Sequence, residues 1–173
     1  AAFEAHPRTS TVLHGRAHLV DESIVRLWRL CEMPEQAALV GVGGYGRGEL
    51  FPCSDVDLMV LLPRPADGAL QARLSMLLGA LWDIGLEIGH SVRTVDEAIE
   101  VAEHDITIQT NLLEARLLCG DAALYDQFHR RYGALLDVRV FFKAKQLEQE
   151  KRYARYNLTP FALFPNCTST PLF

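Results

Sequence analysis

From Gly15 to Glu32 the apolar residues Leu19, Val20, Ile24, Leu27, Trp28 and Cys31 recur three and four apart between charged neighbours. That spacing places them on one face and predicts an opening amphipathic helix. Ala37 to Val42 is a short apolar run of strand length, and Val56 to Leu62 is a second, closed by Pro63 and Pro65. Between them lies a glycine-rich loop, in which Arg47 to Leu50 has room only for a brief helix. Leu70, Leu74, Leu77, Leu78, Leu81 and Trp82 then mark a well-patterned helix, followed by a third strand over Leu86 to Arg93. These three strands form the expected core sheet.

Helices dominate the remainder of the pattern. Thr94-Val95-Asp96-Glu97 has capping-box spacing and starts one helix. Asp105 to Leu118 reads as the next, with Gly120 as its stop. Asp121 to Tyr132 and Val138 to Tyr156 continue the series, the latter carrying Lys143, Lys145, Lys151, Arg152 and Arg155. Such a charge run is ordinarily a solvated face, with phosphate contact by Lys151, Arg152 or Arg155 as the functional alternative. Pro160, Pro165 and Pro171 break up the last stretch, which reads as an extended loop. The expected organisation is a core with its opening helix over residues 1–135 and a basic helix with a tail over 136–173.

Composition narrows the function. At 173 residues the chain can bury one sizeable core, and a net charge of -5 disfavours a general nucleic-acid surface. Cys31, Cys53, Cys119 and Cys167 are far apart, without the spacing of a zinc site or a disulfide framework. No apolar run reaches membrane-spanning length and no leader pattern opens the chain. A soluble cytoplasmic protein is expected, and an initial Ala suggests a piece of something longer.

The most informative stretch joins the glycine loop to two carboxylates that alternate on a strand, Asp55 and Asp57. Side chains at i and i+2 point the same way, about 6 to 7 Å apart along the strand. One face can therefore share a metal cluster, and magnesium prefers carboxylate and phosphate oxygens. Two such ions can clamp the attacking and leaving oxygens of a displacement at phosphorus. The glycines bring backbone N–H groups close to a triphosphate. Together these features point to metal-dependent nucleotidyl transfer.

Two other phosphate loops fit less well. Gly41-Val42-Gly43-Gly44-Tyr45-Gly46 matches the dinucleotide pattern G-x-G-x-x-G, but Pro52 comes six residues later and leaves no room for a crossover helix. Gly41 and Gly46 have P-loop spacing, yet Arg47-Gly48 stands where Lys-Ser/Thr is required. The bland alternative is a glycine turn beside a strand whose aspartates face water.

A two-metal site generally needs a third acidic ligand, and Glu87 in Leu86-Glu87-Ile88 is the candidate. It is either a carboxylate on a buried strand or a solvent-facing residue on an edge strand. His90, three positions on, should face the opposite side as a structural, hydrogen-bonded histidine. Ser54 can donate to a phosphate oxygen or cap the strand entry. His104-Asp105 resembles a phosphohydrolase dipeptide, but the further ligands are missing and Asp105 suits a helix N-cap.

Gly43-Gly44-Tyr45-Gly46-Arg47-Gly48-Glu49-Leu50 with Ser54-Asp55-Val56-Asp57-Leu58, then Gly89-His90-Ser91-Val92-Arg93-Thr94, then Asn111-Leu112-Leu113-Glu114-Ala115-Arg116-Leu117-Leu118 carry a resemblance. The chain resembles the N-terminal nucleotidyltransferase domain of the bifunctional uridylyltransferase/uridylyl-removing enzymes that act on the PII nitrogen-regulatory protein. The likeness covers most of residues 15–158. It implies an α+β, polymerase-β-like nucleotidyltransferase fold, a short mixed sheet with flanking helices and then a helical segment. It also implies transfer of UMP from UTP to a tyrosine of PII, with Mg2+ and release of pyrophosphate. Carried over by position, Asp55 and Asp57 are metal ligands, and Gly43, Gly44 and Ser54 contact the triphosphate. Arg47 joins them as a nucleotide-binding residue, and Glu87 is a weaker transfer as a third metal ligand.

Two departures accompany the likeness. Members usually continue into a hydrolase domain and two small-ligand-sensing domains, so uridylyl removal and glutamine sensing are not expected of this chain. Near the end, Pro165-Asn166-Cys167 matches the family, but Phe164 stands where it tends to have Glu and Thr168 where it tends to have Lys. A truncated or altered end is expected, and with it an alternative function as a catalytically silent nucleotide- or partner-binding module.

Overall fold

The computed structural model describes residues 9–150, apart from 138, 140, 144, 148 and 149. The described residues form two compact units that part between Leu135 and Leu136. The first holds a four-stranded sheet with helices. Its elements are α1 (Thr9–Leu30), β1 (Ala38–Gly41), α2 (Gly43–Gly46), β2 (Val56–Leu62), α3 (Gly68–Asp83), β3 (Ile88–Thr94), α4 (Val95–His104), α5 (Ile106–Leu113), β4 (Arg116–Gly120) and α6 (Ala122–Leu135).

The strands lie in the order β3-β2-β1-β4. β1 runs antiparallel to β2 and to β4, whereas β2 and β3 are parallel. This is the short mixed sheet with flanking helices that the resemblance implies. Burial explains the strand pattern: β1 is buried throughout, and β2 is buried at every position but Asp57. Ile24 and Trp28 of α1 and Leu74, Leu77 and Leu81 of α3 pack with Leu39, Leu58 and Val60 of the sheet in one apolar core. Leu19 and Trp82, which share the helical spacing of these residues, are exposed instead.

Thr94 caps α4 through the full capping box with Glu97. Asp105 caps α5, accepting from the N–H groups of Thr107 and Ile108. His104-Asp105 thus marks a helix junction, as its N-cap reading implies.

Two elements differ from expectation. The helix expected over Asp105 to Leu118 ends at Leu113, and Arg116–Gly120 pairs with β1 as a fourth strand. Helix in the glycine loop falls on Gly43–Gly46, with Arg47 as its C-cap, rather than over Arg47 to Leu50. In the second unit, residues 139, 141–143, 145–147 and 150 are helical. Lys151, Arg152, Arg155 and the tail from Pro160 lie outside the described residues.

Candidate active site

Asp57 is the single partly exposed residue on an otherwise buried strand, so its carboxylate marks where the sheet opens to solvent. In the parallel ladder it stands opposite Gly89 of β3. On its other side is Gly43, whose φ of +58° is a conformation that favours glycine. A Cβ on Gly89 would sit 2.2 Å from Asp57 Oδ1, and one on Gly43 would sit 3.2 Å from Oδ2. The carboxylate is therefore seated between two residues that carry no side chain. Burial pushes the Asp57 carboxyl above the usual range, and the charge of Asp55 adds to the effect. Neither aspartate has an ion pair with a Lys, Arg or His among the described residues.

A cleft of about 280 Å³ opens at Asp57. Gly89, Ser91 and Arg93 line it from alternate positions of β3, Asn111 lines it from α5, and His90, expected on the opposite side, also reaches the cleft wall. Ser91, Arg93 and Asn111 fall within the second and third matching blocks, but are not among the site residues expected from the sequence. Alternation from Gly89 could have indicated the first two. Asn111 needs α5 to be placed over the sheet before it can be seen.

Of the residues expected at the site, Gly43 and Gly44 form the first half of α2 and Asp57 adjoins Gly43 directly. Ser54 and Asp55 are exposed at the entry to β2. Arg47, about half exposed, lies between Glu49 at 3.7 Å and Glu114 at 3.8 Å. Glu87 is exposed one residue before β3, and its carbonyl accepts from the Val56 N–H at 2.8 Å. Its strand is at the sheet edge, so the solvent-facing alternative for Glu87 is the one observed. Among the described residues, no group of three His, Cys, Asp or Glu side chains is placed to hold a metal ion. His90 is exposed, with its ring edge-on to Trp82 at 6.1 Å.

A family model described as a nucleotidyltransferase domain matches residues 27–156. The chain belongs to that family. Two curated relatives are named bifunctional uridylyltransferase/uridylyl-removing enzyme. The one from Aromatoleum aromaticum is 76% identical over 98% of this chain, and the one from Ralstonia nicotianae is 50% identical over 99%. The chain spans about one fifth of the length of each. A solved toxin-antitoxin complex with AMP-PNP is similar at a TM-score of 0.42 and 16% identity, covering 79% of this chain and 95% of that one.

As a nucleotidyltransferase domain the chain has a donor set suited to a hard cation. Asp55 and Asp57 offer only carboxylate oxygens, and their mutual repulsion is unrelieved by a neighbouring cationic side chain among the described residues. Magnesium is commonly held by one or two carboxylates together with substrate phosphates, so the pair suits one ion, whereas a second ion would call for a further acidic ligand. No helix among the described residues is long and apolar enough to cross a membrane.

The cysteines give a direct check on this geometry. Cys53 is exposed, two residues before Asp55, whereas Cys31 is buried. Burial pushes the Cys119 thiol up to about 11, with partial relief from Arg29. The thiolate is the reactive form, so peptide mapping after brief maleimide treatment at neutral pH should find Cys53 labelled before Cys31 and Cys119. Faster labelling of Cys119 would contradict the partial burial of that residue in β4.

Proposed function

We propose that this domain transfers UMP from UTP, with magnesium, to a tyrosine hydroxyl of the PII protein in the cytoplasm. The observation that carries the proposal is the Asp55/Asp57 pair beside the Gly43–Gly46 turn. The relatives' uridylyltransferase names support the choice of nucleotide, and the three sequence blocks support PII as acceptor. The acceptor oxygen forms a bond to the α phosphorus, the bond from that phosphorus to the pyrophosphate oxygen breaks, and the hydroxyl proton passes to water.

Asp55 and Asp57 would hold magnesium, which when bound neutralises phosphate charge and polarises the reacting phosphorus. Glu87, exposed just before β3, would have to turn toward the metal to serve as the proposed third ligand. Gly43, Gly44 and Ser54 bind the β and γ phosphates. Arg47 joins them by leaving its ion pairs with Glu49 and Glu114, which are long, exposed and therefore weak. Catalysis on this reading is mostly positioning and charge neutralisation. A panel of four nucleoside triphosphates, each incubated with purified PII and magnesium, tests the assignment. Pyrophosphate release with UTP in clear excess over the others is expected.

A second reading is favoured by one observation, the failure of the described residues to gather a third acidic ligand. On that reading the domain binds UTP and magnesium without turning it over. Calorimetric binding of UTP with no pyrophosphate release over long incubation with PII would support it.

A further inference from the structure

Asp21 of α1, Tyr45 of α2 and Arg116 of β4 are far apart in sequence but meet beside the glycine turn, and none belongs to the nucleotide contacts proposed above. Both terminal nitrogens of Arg116 donate to Asp21, Nη1 to Oδ2 at 2.8 Å and Nη2 to Oδ1 at 3.2 Å. The Tyr45 hydroxyl donates to the same carboxylate. Arg116 Nε donates to the Gly46 carbonyl at 3.1 Å, and the guanidinium lies 5.6 Å from the centre of the Tyr45 ring. The Asp21 and Arg116 side chains are 20% and 33% exposed, so the pair is largely shielded from water. Bidentate bonds between charged partners are strong and fix orientation as well as distance.

The turn needs such a restraint. Three of its four residues are glycines, which lose the most conformational freedom when fixed. Tyr45 is its one side chain, and it is 1% exposed. Gly46 is also pressed against the chain leading into β4: a Cβ there would sit 1.8 Å from the Glu114 carbonyl oxygen. The turn is thus held by a side chain at Tyr45, by its own carbonyl at Gly46 and by close backbone contact.

We propose that Asp21 and Arg116 are positioning residues that hold Gly43–Gly46 in the conformation that receives the β and γ phosphates. The inference rests on the nucleotide site proposed above. It assigns a role to Arg116 that depends on β4 being a strand, since a helix continued through Leu118 would carry this residue elsewhere.

The test is titration calorimetry of the protein with UTP, pyrophosphate and UMP, each with magnesium, for the wild type and for Arg116→Gln, Asp21→Asn and Tyr45→Phe. Loosening the turn should weaken UTP and pyrophosphate by about tenfold in the first two variants, leaving UMP within about twofold. A merely structural role would weaken UMP to the same degree, and that outcome overturns the proposal. If Arg116→Gln and Asp21→Asn do not fold, Tyr45→Phe decides, because it removes only the hydroxyl. About threefold weakening of UTP with UMP unchanged supports the clamp, and no selective loss overturns it. Should the wild type prefer another nucleoside triphosphate, the assignment of UTP fails while the clamp is read with the preferred nucleotide. A wild type that binds no triphosphate overturns the clamp and the site reading together.

Discussion

Asp57→Asn is expected to lower nucleotidyl transfer by about 10³-fold or more while leaving the fold intact, because it removes a charged metal ligand at nearly constant volume. The same substitution should raise the stability of the metal-free protein at neutral pH. Burial and the Asp55 charge hold the folded-state pKa of Asp57 above its unfolded value. Ionising it therefore costs the folded state, a cost absent below the unfolded carboxylate range and fully present above the raised folded value. Asn carries no such cost. Thermal unfolding of wild type and variant, without metal, should show the variant more stable near pH 7 and the difference disappearing as the pH falls through the carboxylate range. A variant less stable than wild type at neutral pH would contradict the cost of ionising Asp57 that burial and the Asp55 charge impose.

Gly89→Ala is expected to lower activity by about 100-fold without touching a ligand, since displacement of a catalytic group by 1 Å can have that effect. The added Cβ would lie 2.2 Å from Asp57 Oδ1, far inside contact distance. The carboxylate must rotate away or β2 and β3 must separate. Gly79→Ala in α3 is the control, because nothing lies within 4 Å of a Cβ there. It should keep wild-type activity, and retained activity in Gly89→Ala would show that the Asp57 carboxylate is free to move without consequence.

Much of this arrangement is legible in the sequence, and the reasons are local. β2 is found in full from Val56 to Leu62 because an apolar run, interrupted by Asp57 alone, ends at two prolines. α4 and α5 announce themselves through Thr94 with Glu97 and through Asp105, residues whose capping chemistry operates within one turn. β4 is hidden for the opposite reason. Glu114, Ala115, Arg116, Leu117 and Leu118 are all strong helix formers, and only pairing with β1 and the bond from Arg116 to Asp21 make a strand of Arg116–Gly120. Tertiary contact overrides propensity there. Similarly, glycines disfavour helix, yet Gly43–Gly46 turns helically with Tyr45 anchored in the core.

The candidate site divides along the same line. Asp55 and Asp57 declare themselves by i, i+2 spacing, although β2 begins only at Val56 and Asp55 stands one residue before it. The seat of Asp57 between Gly43 and Gly89 depends on how two neighbouring segments approach it. Asn111 enters the cleft only because α5 is placed over the sheet. Such relations lie between elements and leave no mark in the spacing of either.

The most direct test of nucleotidyl transfer at the Asp55/Asp57 pair is incubation of the protein with PII, magnesium and UTP labelled at the α phosphate, with quantification of label on PII and of pyrophosphate. Equal amounts of the two are expected for wild type and neither for Asp57→Asn. Undiminished labelling in Asp57→Asn, or UTP bound by the wild type with no label transferred, would contradict transfer at this pair.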